Sequence, residues 1–390
     1  MDLSYIINHL GEEREQYFGA AAPPIMQSSN FAFPTVDEMR KGLTDEMGTP
    51  FYTRGHNPTV AILRKKLAAL EAAEDCLVFA SGSAAIGAAV MSCVESGDHV
   101  VCVQKPYSWT AKLLSNMLSR YGIETTYVDG RNTQEFAEAV RENTKLFMLE
   151  SPNSMTFELQ DIEAITTLAK SRGIATIMDN SFSTPLNQQP ITLGVDIVVH
   201  SASKYLNGHS DIVAGVLCAS AERTAQIFAS EFMTLGGIIS PNDAWLMLRG
   251  LRTLPIRMER VAQSTPKIVE FLESHPAVKK VYYPFSASFP QRELAEQQMK
   301  APTGQFSIEL QAAHIGDVER FCNHLKYFLL ACSWGGYESL AFPMAALYGS
   351  ANYGNTSLPW NLVRFYIGLE DADVLIKDLE EALALIPVEA

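Results

Sequence analysis

The chain has 390 residues, 47% of them hydrophobic, and a formal net charge of -14. That length suits two domains, or one large domain with an appendage, and the apolar content is enough for a sizeable core. The acidic balance argues against nucleic acid and anionic membranes as partners, since both are met by basic patches.

The start, Met1-Asp2-Leu3-Ser4, has no basic run ahead of an apolar stretch, so no signal peptide is expected. No apolar run reaches the roughly 18 residues of a membrane-spanning helix. The six cysteines (Cys76, Cys93, Cys102, Cys218, Cys322, Cys332) form no C-x-x-C pair and mostly sit in apolar contexts. They read as buried free thiols of a reducing compartment, and a cytoplasmic location is expected. The eight histidines show no H-x-x-x-H spacing, so metal chemistry has no support.

Residues 1–55 have weak periodicity, carry Pro23-Pro24 and the aromatics Phe31 and Phe33, and read as an arm. From Pro58 the pattern alternates. Leu63, Leu67 and Leu70 mark one helical face. Cys76 to Phe79 reads as a strand and meets the small-residue turn Ala80-Ser81-Gly82-Ser83-Ala84-Ala85, which opens an apolar helix. Strands follow at His99–Val103, Thr125–Val128 and Leu146–Leu149, with helices at Ala111–Arg120 and Glu163–Arg172. Two more strands, Gly173 to Met178 and Ile197 to Val199, complete the series. Such alternation implies an α/β fold with a mainly parallel sheet covered on both faces. Ligands of such sheets bind beyond the strands' C-terminal ends, where Ser81, Tyr107, Glu150, Asp179 and Ser201 all fall. After about Leu254 the texture changes to helical Lys267–Ser274, strand-like runs at Val278–Tyr283 and Gln305–Leu310, and a closing amphipathic helix at Ala372–Ile386. The expected domains are thus an arm over 1–55, a large domain over 56–254 and a smaller C-terminal α+β domain over 255–390.

The most informative stretch is Val198-Val199-His200-Ser201-Ala202-Ser203-Lys204. A lysine just after a buried strand is costly to desolvate, and desolvation favours its neutral, nucleophilic amine. A neutral amine condenses with aldehydes, and Ser201 and Ser203 flank it with donors suited to a phosphate. Upstream, an apolar strand delivers Asp179, a carboxylate able to pair with a protonated pyridine nitrogen. An aldehyde that carries a phosphate and a pyridine ring is pyridoxal 5'-phosphate (PLP), for which a lysine with an aspartate partner is the expected motif. The turn Ser81-Gly82-Ser83, at a helix start, offers backbone N–H groups to a phosphate. It is neither G-x-G-x-x-G nor a P-loop, which counts against a dinucleotide oxidoreductase.

With these parts in place the chain resembles the Cys/Met-metabolism (trans-sulfuration) PLP-dependent enzymes over nearly its whole length. The motifs that carry the resemblance occur in the family's order. They are Tyr52-Thr53-Arg54-Gly55-His56-Asn57-Pro58-Thr59, Ser81-Gly82-Ser83-Ala84-Ala85, Glu150-Ser151-Pro152-Asn153 and Asp179-Asn180-Ser181-Phe182. Ser201-Ala202-Ser203-Lys204-Tyr205, Ser333-Trp334-Gly335-Gly336-Tyr337-Glu338-Ser339-Leu340 and Val363-Arg364 follow. The resemblance implies the fold-type I, aminotransferase-like architecture. It implies that Lys204 bonds the cofactor and shuttles protons, that Asp179 pairs with the pyridine nitrogen and that Tyr107 stacks on the ring. Ser81, Gly82, Ser83, Ser201 and Ser203 would hold the phosphate. Tyr52 and Arg54 would reach the neighbouring subunit's phosphate site, so that sites are shared within a homo-oligomer, typically a dimer of dimers. Arg364 would clamp the substrate α-carboxylate, with Asn153, Ser333 and Trp334 as further substrate contacts.

Members of the family differ in whether the leaving group departs from Cβ or Cγ. In the γ-acting cystathionine enzymes, glutamates commonly precede the Tyr-x-Arg motif and the Ser-Leu-Gly-Gly motif. Here those positions are Phe51 and Cys332, so neither supplies a carboxylate for the far end of the substrate. The wording Ser333-Trp334-Gly335-Gly336-Tyr337 is like that of bacterial cystathionine β-lyases. Trp109 stands where methionine γ-lyases usually carry a cysteine. The expectation is β-elimination of cystathionine to homocysteine, pyruvate and ammonia. The alternatives are a γ-synthase or γ-lyase activity, including one like methionine γ-lyase, and, more remotely, a non-catalytic PLP-binding protein.

Overall fold

Short apolar runs dominated by Val, Ile and Leu form the strands, and the best buried are apolar along their whole length, as strands covered on both faces must be. The computed structural model describes residues 1–350 and 357–387. The chain divides into two compact units. One holds Met1–Ser151, Gln160–Asn207 and Asp211–Thr253; the other holds Pro152–Leu159, Gly208–Ser210 and the chain from Leu254 onward.

The first unit is built on seven strands: β1 (Asp75–Phe79), β2 (His99–Val103), β3 (Glu124–Val128), β4 (Thr144–Glu150), β5 (Ala175–Asp179), β6 (Ile197–Ser201) and β7 (Gly215–Ala219). Their spatial order is β1-β7-β6-β5-β4-β2-β3. Only β7 is reversed, antiparallel to both β1 and β6, so the other six share one direction. Strand alternation splits the core in two. Val100 and Cys102 pack on one face with the helix Gly82–Met91, and Val101 and Val103 pack on the other with the helix Ile162–Ser171. The parallel register sets Glu150 opposite Asp179, and Asp179 opposite Val199, in one row at the C-terminal edge.

The second unit carries a five-stranded sheet of β8 (Val278–Tyr282), β9 (Gln305–Leu310), β10 (Leu329–Leu330), β11 (Leu340–Pro343) and β12 (Leu362–Tyr366), in the order β10-β11-β12-β9-β8. One face holds Phe306, Ile308, Val363 and Phe365, packed with residues of the amphipathic helices Ile315–His324 and Ala372–Leu383. On the other face Arg364 stands opposite Ser307.

Several elements differ from the sequence reading. The expected helix Ala111–Arg120 is an irregular run: an α-helical turn at Ser108–Lys112, a π turn at Leu113–Met117 and a 3-10 turn at Leu118–Tyr121. The helix expected only over Lys267–Ser274 starts at Pro241 and runs 34 residues, with Pro255 and Pro266 inside it. The reversed strand β7 was not expected. The closing helix stops at Leu383 instead of Ile386. Of the six free thiols Cys332 is exposed and Cys93 half-buried, because Cys332 lies between strands instead of inside one. No described helix is long and apolar enough to cross a membrane.

Candidate active site

At the end of β1 the chain turns into the helix Gly82–Met91. Ser81 caps it, its hydroxyl accepting the Ala84 N–H at 3.1 Å. Helix geometry leaves the Gly82 and Ser83 N–H groups without intrahelical acceptors, a ready anion cradle. Residue 82 has to be glycine. A Cβ there would lie 2.9 Å from Ser201 Cα, so the helix start is pressed against the last residue of β6. Gly215, opposite Ser201 on β7, makes the same close approach, since a Cβ on it would meet the Ser81 carbonyl at 2.0 Å.

From Ser201 a polar chain runs sideways to β5. The Ser201 N–H donates to Ser181 Oγ at 2.7 Å, and that hydroxyl donates to Asp179 Oδ1 at 2.6 Å. The Ser181 N–H also donates to Oδ1, at 2.9 Å, so both hydrogen bonds to Asp179 fall on one oxygen. Burial pushes the Asp179 carboxyl above its ordinary value, while the Ser181 bonds and the charges of His200 and Lys204 pull the other way. A buried carboxylate with one oxygen left over is suited to a cationic ligand atom. Lys204 follows in the turn after β6, half-buried, its N–H donating to the Ser201 carbonyl at 3.2 Å. Ser203 Oγ accepts the Ala214 N–H at 3.0 Å, which ties this turn to the start of β7.

One residue over in the row, Glu150 Oε2 accepts the N–H of Tyr107 at 2.6 Å, fixing the chain where that tyrosine leaves the sheet. Behind β6 a buried network joins His200 Nε2 to Glu71 Oε2 at 3.0 Å and Asn180 Nδ2 to Glu71 Oε1 at 3.2 Å. The sequence marks Glu150 only as a strand-end residue and Ser181 only as part of a motif, and it gives no role to His200 or Glu71. A carboxylate ending a strand and a serine two residues after Asp179 were the only signals for the first two.

The structure thus brings Ser81, Gly82, Ser83, Ser201, Ser203, Lys204, Asp179 and Tyr107 to one edge of the first unit's sheet. These parts fit PLP: a helix-start cradle for its phosphate, a buried carboxylate oxygen for its ring nitrogen, and an amine on the turn between them. Tyr52 and Arg54 stand apart. Both are exposed, the Arg54 guanidinium lies 5.5 Å from the Tyr52 ring centroid, and neither side chain hydrogen-bonds to that edge.

In the second unit Arg364 lies on β12. Its Nη1 approaches Met155 Sδ at 3.7 Å and its Nη2 the Ser333 carbonyl at 3.4 Å, with the Phe342 ring 5.5 Å away. Ser333 has a left-handed backbone (φ 80°), uncommon for a residue with a Cβ and a mark of a tightly held loop; Trp334 beside it is half-buried. Asn153 is buried and its amide is engaged locally. Its Oδ1 accepts the Phe157 N–H at 2.8 Å and its Nδ2 donates to Glu158 Oε2 at 2.5 Å, which folds its own loop.

Comparison with known proteins agrees with this geometry. The family described as Cys/Met metabolism PLP-dependent enzyme matches residues 5–384. The chain belongs to that family. L-methionine gamma-lyase of Pseudomonas deceptionensis is 38% identical over 381 residues, covering 96% of this chain and 95% of that one. Cystathionine beta-lyase MetC of Bacillus subtilis (strain 168) is 35% identical, covering 94% and 92%. The crystal structure of metB from Corynebacterium glutamicum superposes with a TM-score of 0.92 at 35% identity, covering 98% of each chain. The fold is the expected fold-type I architecture, and the cofactor of the family is PLP.

Proposed function

We propose that this enzyme is a carbon–sulfur lyase that cleaves cystathionine by β-elimination to homocysteine, pyruvate and ammonia. The chemistry that bound PLP supplies is withdrawal of electrons from the substrate Cα, which makes the proton there removable. In this reading Lys204 would hold the cofactor covalently, and its Nζ would take the substrate Cα proton. The Cβ–S bond would then break with its electron pair going to sulfur, the Tyr107 hydroxyl or Lys204 Nζ would return a proton to the departing thiolate, and water would hydrolyse the released enamine, through its imine, to pyruvate and ammonia. Asp179 keeps the ring nitrogen protonated. Ser81, Gly82, Ser83, Ser201 and Ser203 hold the phosphate, aided by Tyr52 and Arg54 of a neighbouring subunit. Arg364 orients the substrate by its α-carboxylate, with Ser333, Trp334 and Asn153 shaping that contact.

The observation that carries the lyase reading is the row Glu150, Asp179 and Val199, with Ser201 ending β6 two residues beyond it and the helix start of Gly82 against Ser201. The Ser333–Tyr337 wording and the absence of glutamate at positions 51 and 332 favour β-elimination. The likeness to methionine gamma-lyases favours a second reading, γ-elimination to 2-oxobutyrate. Product analysis decides between them. With L-cystathionine, pyruvate is expected to exceed 2-oxobutyrate by at least about tenfold, a barrier difference of about 1.4 kcal/mol. Mainly 2-oxobutyrate would overturn the β assignment and leave the lyase in place.

A further inference from the structure

Glu71 is a carboxylate in a doubly unfavourable place. It ends the helix Pro58–Glu71, where the helix dipole already puts partial negative charge, and it is fully buried. Its two oxygens serve two strands. Oε2 accepts from His200 Nε2 at 3.0 Å and Oε1 accepts from Asn180 Nδ2 at 3.2 Å. A carboxylate only accepts, so the His200 ring keeps its hydrogen on Nε2. Among the described residues this is the ring's one hydrogen bond, since Nδ1 has no partner. None of the three side chains takes part in the bond cleavage proposed above.

Their place in the sheet gives them a use. Asn180 follows Asp179 and His200 precedes Ser201. Ser201 meets the helix start at Gly82 on one face of the sheet, and by strand alternation His200 points to the other, where Glu71 waits. The backbone ladder between β5 and β6 ends at the pair Asp179–Val199, with the Asn180 N–H donating to the Val199 carbonyl at 2.9 Å as a last rung. Past that rung side chains take over. Ser181 Oγ joins Asp179 to Ser201 in front, and Glu71 joins Asn180 to His200 behind. The PLP ring is rigid and its phosphate hangs on a short arm, so the partners of its two ends have to keep a spacing good to about 0.5 Å. We propose that Glu71 is a positioning residue that sets the spacing of Asp179 and Ser201 from behind the sheet, and with it the seat of PLP. This rests on Asp179 and Ser201 holding the cofactor, and not on which bond the enzyme breaks.

The test measures PLP affinity by equilibrium dialysis and the visible circular dichroism of the bound cofactor, which reports how the ring is held. Glu71→Met fills the same space and strips both hydrogen bonds. It is expected to bind PLP at least about tenfold more weakly, with a weaker dichroic band per bound cofactor. Glu71→Gln keeps an acceptor for Asn180 and offers a donor to Nε2 once the ring hydrogen moves to Nδ1, and should recover part of the loss. Asn180→Ala cuts one arm and leaves the His200–Glu71 pair whole, so it reads the same effect should Glu71→Met not fold; a loss of at least about threefold is expected. Leu67→Ala, a buried change on the same helix, should lower Tm yet leave affinity within about twofold. Wild-type affinity and band in Glu71→Met or Asn180→Ala, or an equal loss in Leu67→Ala, would overturn the positioning role and leave the cofactor site standing. If borohydride fixes PLP of the wild-type enzyme to a lysine other than Lys204, the site reading fails and this role falls with it.

Discussion

Asp179 ends β5 with both of its hydrogen bonds on Oδ1 and with its carboxyl raised above the ordinary 3.8 by burial. An acid whose folded pKa is raised binds its proton more tightly in the folded chain than in the unfolded one. Its contribution is therefore present below the unfolded value and lost as pH rises through the raised folded value. At neutral pH the ionised Asp179 is a burden on the PLP-free fold, which a ring-nitrogen cation would relieve. Asp179→Asn should leave the PLP-free protein at neutral pH at least as heat-stable as wild type while weakening PLP binding by at least about tenfold. Differential scanning calorimetry and equilibrium dialysis read the two effects, and a Tm several degrees lower would contradict the burden argument. Lys204→Ala should cut turnover by at least about a thousandfold. Borohydride reduction followed by peptide mass analysis should then find no cofactor on any lysine. Both residues were legible in the sequence because each follows an apolar run that turns abruptly polar. Glu150 as the anchor of Tyr107 was not, since that bond spans 43 residues and exists only because β2 and β4 are neighbours.

At the scale of elements the N-terminal helix Leu3–Asn8 is too short to hold itself, and a buried ion cluster fixes it. Lys66 Nζ, on the helix Pro58–Glu71, donates to the carbonyls of Ile6 and Ile7 at 3.0 and 2.9 Å and pairs with Glu12 at 3.1 Å. Arg252 and Arg14 bind the same carboxylate at 3.0 and 2.9 Å. Lys66→Ala leaves two helix-end carbonyls and part of the Glu12 charge without their partner, and should cost about 3 kcal/mol by urea unfolding. Limited trypsin digestion should reach Arg14 faster in the variant than in wild type. A stability change within about 0.5 kcal/mol would show the cluster to be incidental. The sequence hinted at none of this, because Glu12, Lys66 and Arg252 share no local pattern. The strands were readable for the opposite reason: apolar runs of five residues bounded by turns carry their own signal. Pro255 and Pro266, which as a rule end helices, mask the full length of the helix Pro241–Ser274 in the sequence; the missing N–H bonds are outweighed here by burial of Met247, Leu248, Leu251, Leu254, Met258 and Val261.

For the molecule as a whole, the open question is what Tyr52 and Arg54 act on. In this chain they are exposed, stacked on each other and not hydrogen-bonded to the Asp179–Lys204 edge. An exposed arginine with no carboxylate partner among the described residues is suited to an anion brought by another chain. The sequence suggested this only through the family's motif order, since no local pattern tells which subunit a side chain serves. If each site joins Lys204 of one subunit to Arg54 of its neighbour, two inactive variants can complement each other. Arg54→Ala alone should lose PLP affinity and Lys204→Ala alone should lose turnover. Random pairing of the two makes about half the dimers mixed, and each mixed dimer rebuilds one intact site of two, so activity should return to roughly a quarter of the wild-type level. Mixing after reversible dissociation, with light scattering to verify that subunits reassociate, gives the measurement. Recovery near zero with reassociation proven would mean that Arg54 serves its own chain.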